Sequence, residues 1–224
     1  MSQPLTLIGG NVSPFVRKVR VFCAEKGIDY ELEPLNPFAA PEGFGEISPL
    51  KKIPVLRVGE KHLPDSSIIC AYLERLHPEP SLVPSDPDAY ARTLWLEEYM
   101  DGGFVPKAGP NVFFALVIGP LMSGKEPDET EPLRFAAEEL PPFYEYLEKE
   151  IGDEEFFVEG RLTLADIAVA SPFVNMRHAG VAPERARFPR LRAFLDRMHE
   201  RPSFKACIEE ETPIFGKRSA RIQD

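Results

Sequence analysis

The chain has 224 residues, 43% of them hydrophobic and 28% charged, with a formal net charge of −10. That length holds one large or two small domains with real cores, and the balance excludes a disordered chain. Lys and Arg offset Asp and Glu over residues 1–78, so residues 79–224 carry the whole negative excess, which argues against a nucleic-acid partner, since phosphate contacts require clustered Lys and Arg.

No apolar run reaches the ~20 residues of a membrane span, so no membrane association is expected. Met1-Ser2-Gln3-Pro4 lacks the basic start of a secretory signal. Three cysteines at unrelated spacings give neither a disulfide framework nor a metal site. A cytoplasmic location is the expectation. Most of the 24 prolines punctuate the joints between periodic segments.

Leu5-Thr6-Leu7-Ile8 reads as a short strand stopped by Gly9-Gly10. Ser13-Pro14 opens a helix, with Ser as N-cap and Pro at the first helical position. Phe15, Val16, Val19, Phe22 and Cys23 recur at helical spacing, and Lys26-Gly27 closes the helix. Asp29 to Leu35 reads as a second strand, completing a βαβ unit. A Pro/Gly-rich loop follows from Asn36 to Ser48. Val55 to Val58 and His62-Leu63 form a hairpin around Gly59-Glu60, and a helix runs from Asp65 to His77-Pro78. This βαβ-ββα order predicts a thioredoxin-like α/β domain over residues 1–78.

The proline-spaced stretch 79–87 is the expected linker, and residues 88–224 read as an all-α domain. Trp95, Leu96 and Tyr99 open a long helix that meets Gly102-Gly103 and Pro106, where a kink or break is expected. Phe113 to Met122 is strongly apolar, and Leu133 to Ile151 is amphipathic. Thr163-Leu164-Ala165-Asp166 forms a capping box, a structural feature with no catalytic role, stapled by Leu162 and Ile167. Leu191, Phe194, Leu195 and Met198 mark a further helix that stops at Arg201-Pro202.

Two segments carry chemistry. Lys51-Lys52-Ile53-Pro54-Val55-Leu56 places a Pro just ahead of a strand, where it cannot donate to the ladder. Asp65-Ser66-Ser67-Ile68 places an acid and hydroxyls at a helix start, where N–H groups point outward and negative charge is favoured. Together they make a ledge for a small extended peptide bearing carboxylates. Arg17, Lys18, Arg20, Lys51 and Lys52 concentrate in the segments assigned to this site.

These segments, with Thr163-Leu164-Ala165-Asp166 and the closing run Phe188 to Phe204, resemble the cytosolic glutathione transferases. The likeness covers Leu5 to Glu211 and is nearest the theta-type and related bacterial members that use a Ser near the first helix. It implies glutathione as co-substrate and a homodimer. It places Ser13 at the sulfur and makes Pro54 a cis-proline, with the Ile53 backbone pairing the cysteinyl part. Asp65 would meet the γ-glutamyl amine and Ser66 its carboxylate; the family more often has Glu at the position of Asp65. Lys52 would face the glycyl carboxylate, with Phe15 packing nearby.

A free thiol titrates near ~8.5, so little of it is thiolate at neutral pH. Lowering that by about two units takes roughly 2.7 kcal/mol of preferential anion stabilisation. One well-placed donor at a helix N-terminus supplies energy of that order. Ser13 is placed to donate to sulfur without itself becoming a covalent nucleophile. The same Ser is a favoured way to begin any helix, and the two roles are compatible: a lone pair to the backbone, the proton to sulfur.

Cys23 reads as core, and no Cys stands at the start of the first helix, which disfavours redox chemistry through a protein thiol. The histidines have no metal spacing and there is no phosphate loop. The expected function is detoxifying conjugation of glutathione to small apolar electrophiles. Trp95, Tyr99, Phe104, Phe113 and Phe114 are candidates for an apolar wall beside the second substrate, in a cleft between domains. The alternatives are a glutathione-dependent isomerase, dehalogenase or peroxidase, and a catalytically silent protein-interaction module like stringent starvation protein.

Overall fold

The structure is a computed structural model that describes residues 4–219; Met1–Gln3 and residues 220–224, which the expected domains include, lie outside that range. The chain divides into two compact units, Met1–Val83 and Pro84–Asp224.

In the first unit, β1 (Leu5–Ile8) leads into α1 (Pro14–Lys26) and β2 (Glu31–Glu33). The expected loop then holds a 3-10 turn at Pro37–Ala39 and a short helix, α2 (Phe44–Ile47). Phe44 is why: it joins Ile8, Val55, Leu35, Ile47 and Ile53 in one apolar cluster, and burying it orders a segment that proline content marks as irregular. β3 (Val55–Val58), β4 (Lys61–Pro64) and α3 (Ser66–Leu76) follow. The sheet order is β2-β1-β3-β4, with β1 and β2 parallel and the other pairs antiparallel. This is the α/β arrangement the sequence predicts, with β2 shorter than the Asp29–Leu35 reading. α1 packs on α3, and α3 on β3 and β4.

The buried end of α1 also holds the connector. Lys26 Nζ donates to Glu74 Oε2 at 2.7 Å and to the Pro80 carbonyl at 2.6 Å. The same carboxylate accepts from the Leu82 and Val83 N–H groups. An ion pair sheltered from water and anchored to three backbone groups resists fraying far better than an exposed one.

The second unit is all helical. Its first helix, α4 (Pro87–Ser123), runs without the expected break. Two π-helical stretches, Tyr99–Phe104 and Gly109–Ile118, carry it past Gly102-Gly103, Pro106 and Pro110. The reason is visible in the side chains. Leu96, Met100, Phe104, Ala108, Val112 and Leu116 recur every fourth residue and are all exposed by 1% or less. A step of four overshoots an α-helical turn by about 40°, so five steps would rotate a regular helix by about 200° and carry Leu116 to the side opposite Leu96. The wider π turns absorb that drift and keep the stripe facing one way. By length and composition α4 could cross a membrane, which the search for an unbroken apolar run did not foresee; here its stripe is covered by neighbouring helices of its own unit.

The remaining helices are α5 (Thr130–Glu139), α6 (Pro141–Ile151), α7 (Leu164–His178), α8 (Pro189–Glu200) and α9 (Pro202–Ser219). The amphipathic run Leu133–Ile151 is thus two helices, divided at Leu140; Pro141 and Pro142 have no N–H to donate, so the hydrogen-bond ladder of the first helix stops and a new one starts with proline at its first position. α7 is buried along nearly its whole length and packs on α4, α8 and α9. Its capping box forms as expected: Asp166 Oδ2 accepts from the Thr163 N–H at 2.8 Å and Oδ1 from the Phe157 N–H at 2.9 Å. Burial pushes the Asp166 carboxyl up to about 6, against the pull of these hydrogen bonds.

Candidate functional site

Strand register brings three separate stretches of the first unit to one end of its sheet. Ile8, the last residue of β1, lies opposite Val55, the first of β3, and Val55 lies opposite Pro64, the last of β4. The loop from Gly9 to Ser13, the Ile53-Pro54 dipeptide and the start of α3 therefore meet at that end. The Asp65 N–H donates to the Pro54 carbonyl at 3.2 Å, closing the gap between the second and the third. Gly9 makes the packing possible. A Cβ there would come within 2.5 Å of Val16 Cγ2 and 3.6 Å of Ile53 Cβ.

Ser13 caps α1. Its Oγ accepts from the Val16 N–H at 3.4 Å, a long bond, and its proton goes to no acceptor among the described residues. Ser13 is half-buried, and the first turn of α1 carries no acidic residue. An anion placed against that hydroxyl meets a donor and the positive end of a 13-residue helix. Phe15 follows on the same turn, half-buried.

The Ile53–Pro54 peptide bond is cis. Pro54 is buried and Ile53 partly so. The segment before them is held by Ser48, a buried residue that the sequence reading passed over as loop. Its Oγ donates to the Lys52 carbonyl at 2.7 Å and accepts from the Lys52 N–H at 3.1 Å. Lys52 is exposed, and its ammonium meets no partner among the described residues. The structure thus leaves it at the rim, while Ser13, Ile53, Pro54, Asp65 and Ser66 gather at the sheet end.

Asp65 has φ +81°, a conformation an L residue adopts at a cost of about 1–3 kcal/mol. Its Oδ1 accepts from the Ser67 N–H at 2.9 Å and the Ile68 N–H at 3.3 Å, which caps α3. Oδ2 remains for a cation. Ser66 is only 2% exposed, yet its hydroxyl has no partner among the described residues, and its N–H at the first helical position has no intrahelical acceptor. A recessed donor pair at a helix start is an anion cradle, and beside the free oxygen of Asp65 it fits an α-amino acid head group.

The aromatic candidates separate. Phe104 is core, stacked on Phe173 at 5.1 Å. Phe113 is buried, and Trp95 is half exposed with its Nε1 donating to the Tyr146 hydroxyl at 2.6 Å. Tyr99 packs on Phe143 and Tyr146; burial, and after it the neighbouring Tyr146 phenol, pushes its own phenol up to about 12. Phe114 remains exposed. Cys23 is core as read, its thiol pushed up to about 12 by burial. None of the three cysteines is in a disulfide, and all are buried. Among the described residues no His/Cys/Asp/Glu group could hold a metal ion.

Residues 7–81 match the family model of the glutathione S-transferase N-terminal domain, and residues 116–211 that of the C-terminal domain. The chain belongs to the glutathione S-transferase family. Among relatives, a GST-like protein of Escherichia coli K12, YibF, is 37% identical over 99 residues, 44% of this chain and about half (49%) of that protein. A glutathione S-transferase of Triticum aestivum is 27% identical over 92% of this chain and 94% of its own. A stringent starvation protein A homolog of Pasteurella multocida is 24% identical over 93% and 92%. A glutathione S-transferase of Methylobacterium radiotolerans, solved in complex with glutathione sulfonate, superposes with a TM-score of 0.74 at 29% identity, covering 92% of this chain and 94% of that one. The family's thioredoxin-like domain followed by helices is the architecture described above.

Proposed function

We propose that this glutathione S-transferase family member binds glutathione at the sheet end of its first unit and transfers the ionised thiol to small apolar electrophiles. The observation that carries the reading is Ser13, a capping hydroxyl whose proton is uncommitted among the described residues, at the N-terminus of a 13-residue helix. With the γ-glutamyl amine at Asp65 Oδ2, its carboxylate at the Ser66 hydroxyl and N–H, and the cysteinyl amide along the Ile53 backbone, the peptide runs extended from α3 toward α1. Its sulfur then lies at Ser13. The hydroxyl donates to the sulfur and favours thiolate, and the helix terminus adds to the same effect. The thiolate forms the new carbon–sulfur bond while the leaving group departs with the electron pair of the bond it breaks. Lys52 at the rim attracts the glycyl carboxylate, and Phe15 covers one side.

The reading includes a homodimer and a cytosolic location, where glutathione sets the thiol poise. Calorimetry with glutathione tests the binding, and turnover with halonitrobenzenes, isothiocyanates, haloalkanes and organic peroxides tests the chemistry. Conjugation that falls by about 10²-fold in Ser13→Ala, with glutathione binding retained, supports it. Binding with no turnover of any of these electrophiles in the unaltered protein contradicts the transfer. No binding at millimolar glutathione favours the silent interaction module, the alternative that the likeness to stringent starvation protein A homologs keeps open.

A further inference from the structure

A buried lysine of α1 contacts the start of α3, where the glutathione reading places the γ-glutamyl carboxylate. Lys18, five residues beyond Ser13 on α1, is exposed by only 1%, and its Nζ donates to Ser67 Oγ at 3.2 Å. The residue before Ser67 is Ser66, whose recessed hydroxyl has no partner among the described residues. The Ser67 N–H is spent on Asp65 Oδ1. With a lone pair of Ser67 Oγ engaged by the ammonium, its own proton is turned away from Lys18 and polarised for donation.

We propose that Lys18 is a positioning residue of the carboxylate subsite: acting through Ser67, it orients a second hydroxyl onto the carboxylate that Ser66 receives. This rests on the glutathione reading above and deepens it, because it makes the subsite require a carboxylate beside the amine. Ser66 supplies one hydroxyl and one N–H, Ser67 the second hydroxyl, and the ammonium the charge behind it. A Met at position 18 keeps the stem and loses the charge; an Arg keeps both charge and donor.

The experiment compares two ligands by calorimetry: glutathione, and 4-aminobutyryl-cysteinylglycine, which keeps the amine, thiol and glycyl carboxylate but lacks the γ-glutamyl carboxylate. Lys18→Met is expected to weaken glutathione roughly tenfold, the scale of one charge-assisted hydrogen bond, and to weaken the truncated peptide less than about twofold. Lys18→Arg should recover most of the loss. Ser67→Ala severs the same link from its other end and should repeat the selective loss, which keeps the test open if Lys18→Met does not fold. Equal losses for both ligands, or no loss for glutathione in either variant, overturn the assignment while leaving the glutathione site intact. Failure of the unaltered protein to bind glutathione overturns the function itself, and this assignment with it.

Discussion

The backbone N–H of Asp65 donates to the carbonyl of Pro54 across 3.2 Å. That bond ties the start of α3 to the entrance of β3, so the two segments that form the proposed glutathione site are joined directly. Asp65 takes φ +81° to reach it. A strained L residue that also caps a helix is over-determined by its surroundings, as functional positions often are.

The proposed site gives Asp65 two separable jobs, because Oδ1 caps while Oδ2 has no partner among the described residues. Asp65→Asn keeps an oxygen for the Ser67 and Ile68 N–H groups. Its melting temperature should stay close to that of the unaltered protein, while glutathione binding weakens by roughly tenfold through loss of the charge facing the amine. Asp65→Ala loses the cap as well and should cost about 1–2 kcal/mol of stability. Calorimetry and chemical denaturation on the two variants check the split. Equal stability losses would mean that the cap depends on charge.

Gly9→Ala should destabilise the first unit by about 1–3 kcal/mol, because the new methyl falls 2.5 Å from Val16 Cγ2, a stiff, fully buried side chain that cannot swing aside. Urea denaturation measures it. A neutral outcome would show that α1 can retreat from β1 without loss.

Much of this was legible in the sequence, for reasons that differ from residue to residue. Ser13-Pro14, Gly27 and the Thr163–Asp166 box are local signals whose partners lie within a few residues, so spacing alone locates them. The sheet followed from β-rich runs and a two-residue turn. The roles of Gly9, Ser48 and Lys18 depend on partners brought close by the fold or on space that only the fold closes. Gly9 read as a strand stop, Ser48 as loop and Lys18 as one of several site charges. The four-residue stripe of α4 was present in the letters too. A reading tuned to 3.6 residues per turn instead took the Gly and Pro positions as a kink or a break, and the helix is unbroken there.

That stripe gives a direct test of the π turns. Leu96→Ala and Leu116→Ala should each cost about 2–5 kcal/mol, since both side chains are fully enclosed. A regular helix would turn one of them toward solvent. Denaturation in which either substitution is nearly neutral would contradict the widened turns.

Asp166 makes stability depend on pH in a defined sense. Its folded carboxyl is pushed up to about 6, whereas an unfolded Asp titrates near ~3.9. Between those values the folded state holds a proton that the unfolded state has released. The stabilisation from this group is therefore complete below about pH 4 and is lost as pH rises through about 6. Asp166→Asn should abolish that dependence. It should also cost about 1–3 kcal/mol, because an amide cannot accept from both the Thr163 and Phe157 N–H groups through its two ends. Denaturation from pH 4 to 7 on both proteins reads the difference.

The most direct test of the account is the ionisation of bound glutathione, followed by thiolate absorbance in the ultraviolet as pH is varied. The account predicts a sulfur pKa about two units below that of the free peptide, a shift that Ser13→Ala largely removes while glutathione stays bound. A bound thiol that titrates as it does in solution, or one whose lowered value survives Ser13→Ala unchanged, would contradict it.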